Sequence, residues 1–532
     1  MIDQIIIKGY RCFEKLEFKP NPGLNVIVGD NESGKSTLLE AIALALTGKI
    51  NGRWAAEELN PFWFYRQGVL DFFKASKDGS PVAAPELLIE LYLSGEIDAF
   101  QRLRGVHNSR QLDCPGVLFR VHPAADYRVE FNAYMEGNPP KVLPVEYYEV
   151  DWRDFGDDRL TKRPRELATS YIDSRTIRST SGVDYHTREM LSEHLDEHER
   201  VRISLAHRQS RQRITDETLD PINERIRRDS ADLHHNPIGL QMDLSARTSW
   251  ETGIVPQVAD IPFAMSGQGQ QAAIKVSLAM SRTAGTSTFV LIEEPENHLS
   301  YTSLTQLVAR VQTLATDDQQ LFVCTHSSFV LNRLGVDRLV LLHRGVAARL
   351  SALDNETVGY FRRLPGYDTL RLAIGAKIVL VEGPSDGIIF ERAFKDLSGK
   401  LPSEQGIDVI SMGGLTFRRA LDVCSALERE AIAIQDNDGR APEEIRAGLS
   451  DLLVDGRREL FVGALEGGWT LEPQLLNANS ETSLRRILGV SEQANVERWM
   501  ERNKTECALR ILDADESITM PAYIKEAVAF LL

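Results

Sequence analysis

At 532 residues the chain is too long for a single hydrophobic core, so roughly two to four domains are expected. Its 61 Lys+Arg stand against 77 Asp+Glu, a net charge of −16 that excludes a generally basic, nucleic-acid-coating surface and leaves such contacts to local clusters. Cys12, Cys114, Cys324, Cys424 and Cys507 are scattered without a C-x-x-C pair, and no apolar run reaches membrane-spanning length, so a cytoplasmic protein with free thiols and no membrane partner is the expectation.

Residues 2–28 read as a short meander, with strands at Ile2 to Tyr10 and Glu14 to Phe18, a turn at Pro20-Asn21-Pro22-Gly23, and a third strand from Leu24 to Val28. That strand enters Gly29-Asp30-Asn31-Glu32-Ser33-Gly34-Lys35-Ser36, which fits G-x-x-x-x-G-K-[ST]. A helix with apolar residues at Leu38, Leu39, Ile42 and Leu46 follows and stops at Gly48. Set between strand and helix, the pattern is a phosphate loop for ATP. Gly29, Asn31, Gly34 and Thr37 belong to the cradle of backbone N–H groups around the phosphates, Lys35 reaches the β- and γ-phosphates, and Ser36 holds Mg²⁺.

Alternating runs such as Leu87 to Leu93 and Tyr127 to Phe131 predict antiparallel strands between about Leu87 and Val150. From about Arg163 to Arg247 charge is dense, and helix formers dominate from Thr187 to Ile226. This predicts long polar helices, for which a dimer-contacting arm and a merely solvated helix are equally good readings. The arginines Arg208, Arg211, Arg213, Arg225, Arg227 and Arg228 lie there, either tracking phosphates or facing solvent.

Past Pro262 the α/β pattern returns, with a helix from Gln270 to Ser281 and buried-type strands at Phe289 to Ile292, Leu321 to Cys324 and Leu339 to Leu342. The first of these strands delivers Glu293-Glu294 at its carboxyl end, where such sheets bind ligands. Glu293, at a position where Asp is usual, is placed for the Mg²⁺ shell, and Glu294 for orienting or deprotonating the attacking water. Ser266-Gly267-Gln268-Gly269-Gln270 resembles the signature motif of ATP-binding-cassette ATPases, which contacts the γ-phosphate bound by another subunit. His326 takes the switch-histidine position of that class, Asn297-His298-Leu299 matches its interface loop, and Gln67 is the position to check for its glutamine loop.

The pattern lapses around Phe361 to Arg371, placing a domain boundary near 372. Beyond it, strands at Ile378 to Val381, Val409 to Met412, Ala431 to Gln435 and Leu460 to Val462 alternate with helices, as in a compact parallel-sheet domain. The first strand delivers Glu382, with Asp386 following as the chain turns into a helix. The third delivers Asp436 and Asp438, expected on one side of an extended strand end. Convergent carboxylates repel unless a hard cation, Mg²⁺ or Mn²⁺, neutralises them, and two such ions can stabilise both oxygens of a phosphodiester exchange.

Glu382-Gly383 followed by Asp436-x-Asp438 resembles the Toprim domain of topoisomerases, primases and certain nucleases. An ATP-binding-cassette-type ATPase fused to a C-terminal Toprim domain resembles the OLD (overcoming lysogenization defect) family, to which the nuclease of the Gabija defence system belongs. Ser266 to Gln271, Glu293 to His298 and Val381 to Asp386 all read like that family. The resemblance implies that Glu472 is a further metal-site acid, that Lys504 lies against the phosphate, where its charge steadies the transition state, and that the helical insertion is a dimerisation region.

The expected architecture is α/β: an ABC/SMC-like ATPase head formed by 1–165 and 247–371, a helical insertion at 166–246, and a Toprim α/β domain at 372–532. The expected function is ATP-regulated, divalent-metal-dependent endonucleolytic cleavage, of DNA before RNA, in anti-phage defence. Glu294, His326 and Lys504 are the expected catalytic residues, and a homo-oligomer of at least two chains is expected. A helicase or other defence protein is left open as a partner. The alternative is an SMC/RecF-like DNA-binding ATPase whose Toprim domain is not catalytic. A topoisomerase needs a nucleophilic tyrosine, and no motif identifies one.

Overall fold

The computed structural model describes residues 1–50, 52–78, 82–94, 98–136, 142–173, 195–229, 238–243, 250, 254, 257–258, 260–267, 269–271, 274, 288–297, 299–314, 319–343, 345–349, 355–363, 369–413 and 416–532. Two sheets build the N-terminal head. The first is antiparallel, in the order Phe13–Phe18, Ile2–Tyr10, Leu87–Leu93, Cys114–Pro123, with Tyr148–Asp154 also pairing the last. The second runs Ala168–Asp173, Thr288–Glu293, Gln319–Cys324, Leu24–Val28, Leu339–His343, Val346–Arg349, with only the final pair antiparallel. Leu24–Val28 is therefore central in that sheet, and Val26, Ile27 and Val28 are fully buried, as a strand covered on both faces must be. The helix Lys35–Thr47 packs its Leu38, Leu39, Ile42, Leu44 and Leu46 into the core shared with the antiparallel sheet, apolar nearly all round because it is nearly all covered.

Three expectations change. Leu24–Val28 is not the third strand of a meander, because its partners are Gln319–Cys324 and Leu339–His343 in the parallel sheet. The run Tyr127 to Phe131 is a 3-10 turn, Ala125–Tyr127, leading into the helix Arg128–Glu136. Val129 is 77% exposed while Phe131 is buried against Phe72, so an apparent alternation served one anchoring aromatic rather than a strand face. The strand Ala168–Asp173 pairs in parallel with Thr288–Glu293, so part of the ATPase sheet lies inside the 166–246 interval. The described helical part of that interval is Glu197–Arg213, a π-turn at Ile214–Leu219, and Asp220–Asp229, opened by a capping box between Asp196 and Glu199. Residues 187–194, His298, Gln268 and most of the helix expected over 270–281 lie outside the described residues.

The C-terminal sheet is wholly parallel, in the order Ile407–Ser411, Lys377–Val381, Glu430–Gln435, Arg458–Val462. Helices Pro384–Ser398 and Ala522–Leu531 cover one face through Ile389, Phe390, Phe394, Ile524 and Val528. The other face shares a continuous core with the head, in which Leu370, Leu372 and Ala373 of the helix Thr369–Ile374 lie with Val26, Val290, Ile378 and Leu380. The expected boundary near 372 falls within this bridging helix. Among the described residues no helix is long and apolar enough to cross a membrane.

Candidate functional sites

The first site forms where the central strand of the head ends. Gly29 is confined because a Cβ there would meet the Leu342 carbonyl at 2.3 Å, and Gly34 adopts φ +98°, a conformation that disfavours other residues. The helix Lys35–Thr47 that follows has no side-chain cap and no acid in its first turn, so its N-terminal dipole is open to an anion. Lys35 is buried, with Nζ donating to the carbonyls of Gly29 at 2.9 Å and Asp30 at 2.8 Å. Among the described residues Ser33 Oγ is buried without a hydrogen-bond partner. An orphaned hydroxyl, a lysine resting on carbonyls and an uncapped helix fit a bound polyphosphate. Asn31 is exposed and Thr37 half-buried at the same turn.

The paired acids arrive from a strand separated from the loop strand only by Gln319–Cys324. Ser36 donates to the Glu293 carboxylate, whose other oxygen accepts from Tyr171 at 2.7 Å. Glu294 is held at φ +47°, a left-handed conformation uncommon outside glycine, and accepts from Asn297 at 2.6 Å. His326 Nε2 lies 3.7 Å from Glu294 Oε1. The loop carrying that histidine is fastened by Glu296, which accepts from Thr325 Oγ1 at 2.8 Å and from the His326 N–H at 2.6 Å. Burial pushes the Glu296 carboxyl above its ordinary range.

The structure thus brings Lys35, Ser36, Glu293, Glu294 and His326 to one edge. Ser266 and Gly267 make local bonds, Ser266 Oγ to the Phe263 carbonyl at 2.7 Å and the Gln271 N–H to the Gly267 carbonyl at 3.0 Å. Gln67 is exposed and donates to Asp71. Tyr171 and Glu296 were missed. Glu296 had a signal, as the third acid of Glu293-Glu294-Pro295-Glu296. Tyr171 had none, since only sheet pairing brings it to Glu293.

The second site forms at the carboxyl ends of the C-terminal strands. Glu382 Oε1 accepts from the Asp436 N–H at 2.9 Å, joining the ends of neighbouring strands. Asp386 sits in the first turn of its helix, accepting from the Gly383 N–H at 3.0 Å. Asp436 Oδ2 accepts from the Leu471 N–H at 3.2 Å, which draws in the helix carrying Glu472. Glu472, with a side chain only 3% exposed, lies 3.2 Å from Lys504 Nζ and accepts from Thr470. Contrary to expectation, Asp438 does not share an extended strand end with Asp436. The strand ends at Gln435, and Asp438, exposed, is turned by φ +47°.

Burial and mutual repulsion act together on these acids. Asp436 is pushed up to about 8, by burial first and then by Asp386 and Glu382. Glu382 is raised by burial and by Asp386 and Asp438, and Asp386 by burial and Glu472. Lys504 is raised because Glu472, Asp436 and Asp386 together outweigh its own desolvation. Oxygen donors that resist ionising side by side fit a divalent cation in charge and in ligand type. Among the described residues, however, no group of three such side chains is already gathered as a ligand set.

The loop carrying Lys35 and Ser36, with Glu293, Glu294 and His326 at one end, and a carboxylate-lined parallel sheet at the other, fit an ABC-type ATPase head followed by a Toprim domain. Residues 4–62 match an AAA domain model and 173–331 an AAA ATPase domain model, while 375–438 match the overcoming lysogenization defect protein-like TOPRIM domain. The chain thus joins an AAA-type ATPase head to a Toprim domain similar to that of the OLD proteins.

A curated relative, the DNA replication and repair protein RecF of Magnetococcus marinus, is 39% identical over 70 residues, 13% of this chain and 18% of that protein. The match thus spans less than a fifth of the relative. Among solved structures, the C-terminal region of the Burkholderia pseudomallei OLD protein is 21% identical and 97% covered by 30% of this chain, at a TM-score of 0.25. The Smc head domain of Pyrococcus furiosus, bound to the C-terminal domain of ScpA, is 16% identical and 94% covered by 65% of this chain, at a TM-score of 0.30.

Proposed function

We propose that the chain is an ATP-controlled, divalent-metal-dependent endonuclease acting in anti-phage defence, with DNA as the first substrate. The observation that carries this reading is the bond from the Asp436 N–H to Glu382, which gathers acids from two strand ends beside the Glu472–Lys504 pair. Glu382, Asp386, Asp436, Asp438 and Glu472 would hold the cations. Bound Mg²⁺ or Mn²⁺ supplies positive charge to the attacking and leaving oxygens in a two-metal exchange. Lys504 places its ammonium beside the same acids and offsets charge developing on the phosphate. In the head, Lys35 and the loop amides would bind the ATP phosphates, Ser36 and Glu293 would hold its Mg²⁺, and Glu294, backed by His326, would accept a proton from the attacking water.

Ser266 and Gly267 would complete the nucleotide site of a second copy, so a dimer is part of the proposal. Removing 195–243, which leaves Ala168–Asp173 in place, should lower the oligomeric mass in sedimentation if the polar helices join the copies. The central test is incubation of the purified chain with plasmid, linear DNA and tRNA, with and without ATP, in Mg²⁺ or Mn²⁺. Cleavage lost in Asp436→Ala supports the reading, and cleavage that persists in that variant defeats it. The alternative, a DNA-binding ATPase with a non-catalytic Toprim domain, is favoured by the lack of a gathered three-ligand set among the described residues. It requires that no arm of the experiment shows metal-dependent cleavage.

A further inference from the structure

Trp469 is 65% exposed although it stands on the rim of the acid cluster. Its carbonyl accepts from the Asp438 N–H at 3.2 Å, and its indole is what a Cβ on Gly439 would meet, at 3.5 Å. The backbone beneath is braced from two sides, since Asn437 and Gln474 each donate to the Gly468 carbonyl at 2.7 Å. Gly468 itself, at φ +109°, leaves no room for a side chain, because a Cβ would lie 2.4 Å from Pro473 Cβ. Glu472, three residues after Trp469, points inward. Arg440, exposed on the turn after Asp438, makes no side-chain hydrogen bond or ion pair among the described residues.

A large aromatic ring left in water forgoes the free energy of burial, and here it is held on a rigid loop beside a phosphate-directed lysine and carboxylates. Stacking on a nucleobase covers such a face, and a cation beside it suits the adjoining phosphate. A base within a duplex has both faces occupied by its neighbours, so the ring can accept only an unpaired, terminal or flipped-out base.

We propose that Trp469 is a stacking platform for a base of the strand whose phosphodiester lies on the acid cluster, with Arg440 on an adjoining phosphate, making unpaired nucleic acid the substrate class of this site. The inference rests on the endonuclease reading for its orientation, but its test reads binding and does not need cleavage.

Full-length protein, Trp469→Ala, Trp469→Phe and Arg440→Ala are titrated with Ca²⁺ in place of Mg²⁺ or Mn²⁺ against fluorescein-labelled oligo(dT) and a labelled duplex of the same length, following anisotropy. Trp469→Ala should weaken oligo(dT) binding by about ten-fold or more, Trp469→Phe by much less, and neither should alter duplex binding by more than about two-fold. Arg440→Ala should flatten the salt dependence of oligo(dT) binding. Unchanged oligo(dT) affinity in Trp469→Ala overturns the proposal, as does an equal loss on the duplex. Unchanged affinity also leaves a protein partner as the occupant of the exposed ring. Because Trp469 is mostly exposed, circular dichroism of Trp469→Ala should match the parent. A chain that cleaves nothing yet shows this pattern defeats only the endonuclease reading.

Discussion

Lys504 Nζ lies 3.2 Å from Glu472 Oε2, pairing a half-exposed ammonium with a carboxylate that is almost completely buried. The lysine is oriented by that acid at the edge of a cluster that already carries excess negative charge. Lys504→Ala should lower cleavage by about a hundred-fold or more, while ATP binding is unchanged. It should also destabilise the metal-free fold, because Glu472 is left buried without its cation. Lys504→Arg should recover part of the cleavage. Initial rates on plasmid and a denaturant titration separate the two effects.

Asp436 makes the metal-free protein sensitive to base. Its folded value, about 8, lies above the ordinary 3.8, so the stabilising contribution of its neutral form is complete below pH 4 and declines as pH rises toward and through 8. Asp436→Asn should therefore raise the thermal midpoint in EDTA at pH 8 and change it little at pH 4, while abolishing cleavage. Added Mg²⁺ or Mn²⁺ should stabilise the parent more at pH 8 than at pH 6, and the Asn variant less at either. Differential scanning at the three pH values decides the matter.

In the head, binding and hydrolysis should separate by residue. Lys35→Ala removes the cation beneath the phosphates and should abolish ATP binding. Glu294→Gln should bind ATP normally and lose hydrolysis by about 100-fold or more. Fluorescent-nucleotide binding and phosphate release measure the two quantities. A Glu294→Gln variant that hydrolyses at the parental rate removes Glu294 from the mechanism.

Glu296 holds the loop that presents His326, and the two obvious substitutions should differ. Glu296→Gln retains an acceptor for Thr325 and the His326 N–H and removes a charge that burial already disfavours, so stability should change little at neutral pH. Glu296→Ala leaves both donors unsatisfied and should cost about 1–3 kcal/mol, with slower hydrolysis because His326 is no longer held near Glu294. His326→Ala should lower phosphate release without weakening nucleotide binding.

The chemistry-bearing segments were legible in sequence because each is local. A phosphate loop requires its glycines, Lys35 and Ser36 within one turn, and a buried parallel strand announces itself as an apolar run ending in Glu293-Glu294, Glu382 or Asp436. Sheet membership was not legible. Leu24–Val28 reads identically whether its neighbours come from 13–18 or from 319–343, and only pairing across hundreds of residues separates the cases. Tyr127 to Phe131 misled for a related reason, since a short alternating run and a helix with one anchored aromatic share a pattern.

By itself, then, the order of residues offered the candidate phosphate and cation groups, because their proximity is set by covalent neighbours and by the period of the backbone. Only the tertiary structure decided that Tyr171 holds Glu293, that Glu296 fastens the His326 loop and that Asp438 follows its strand by a left-handed turn. The same holds for Trp469, left bare beside the carboxylates. Each of these depends on packing that joins distant stretches of chain, where loop closure and burial, rather than local spacing, choose the partners.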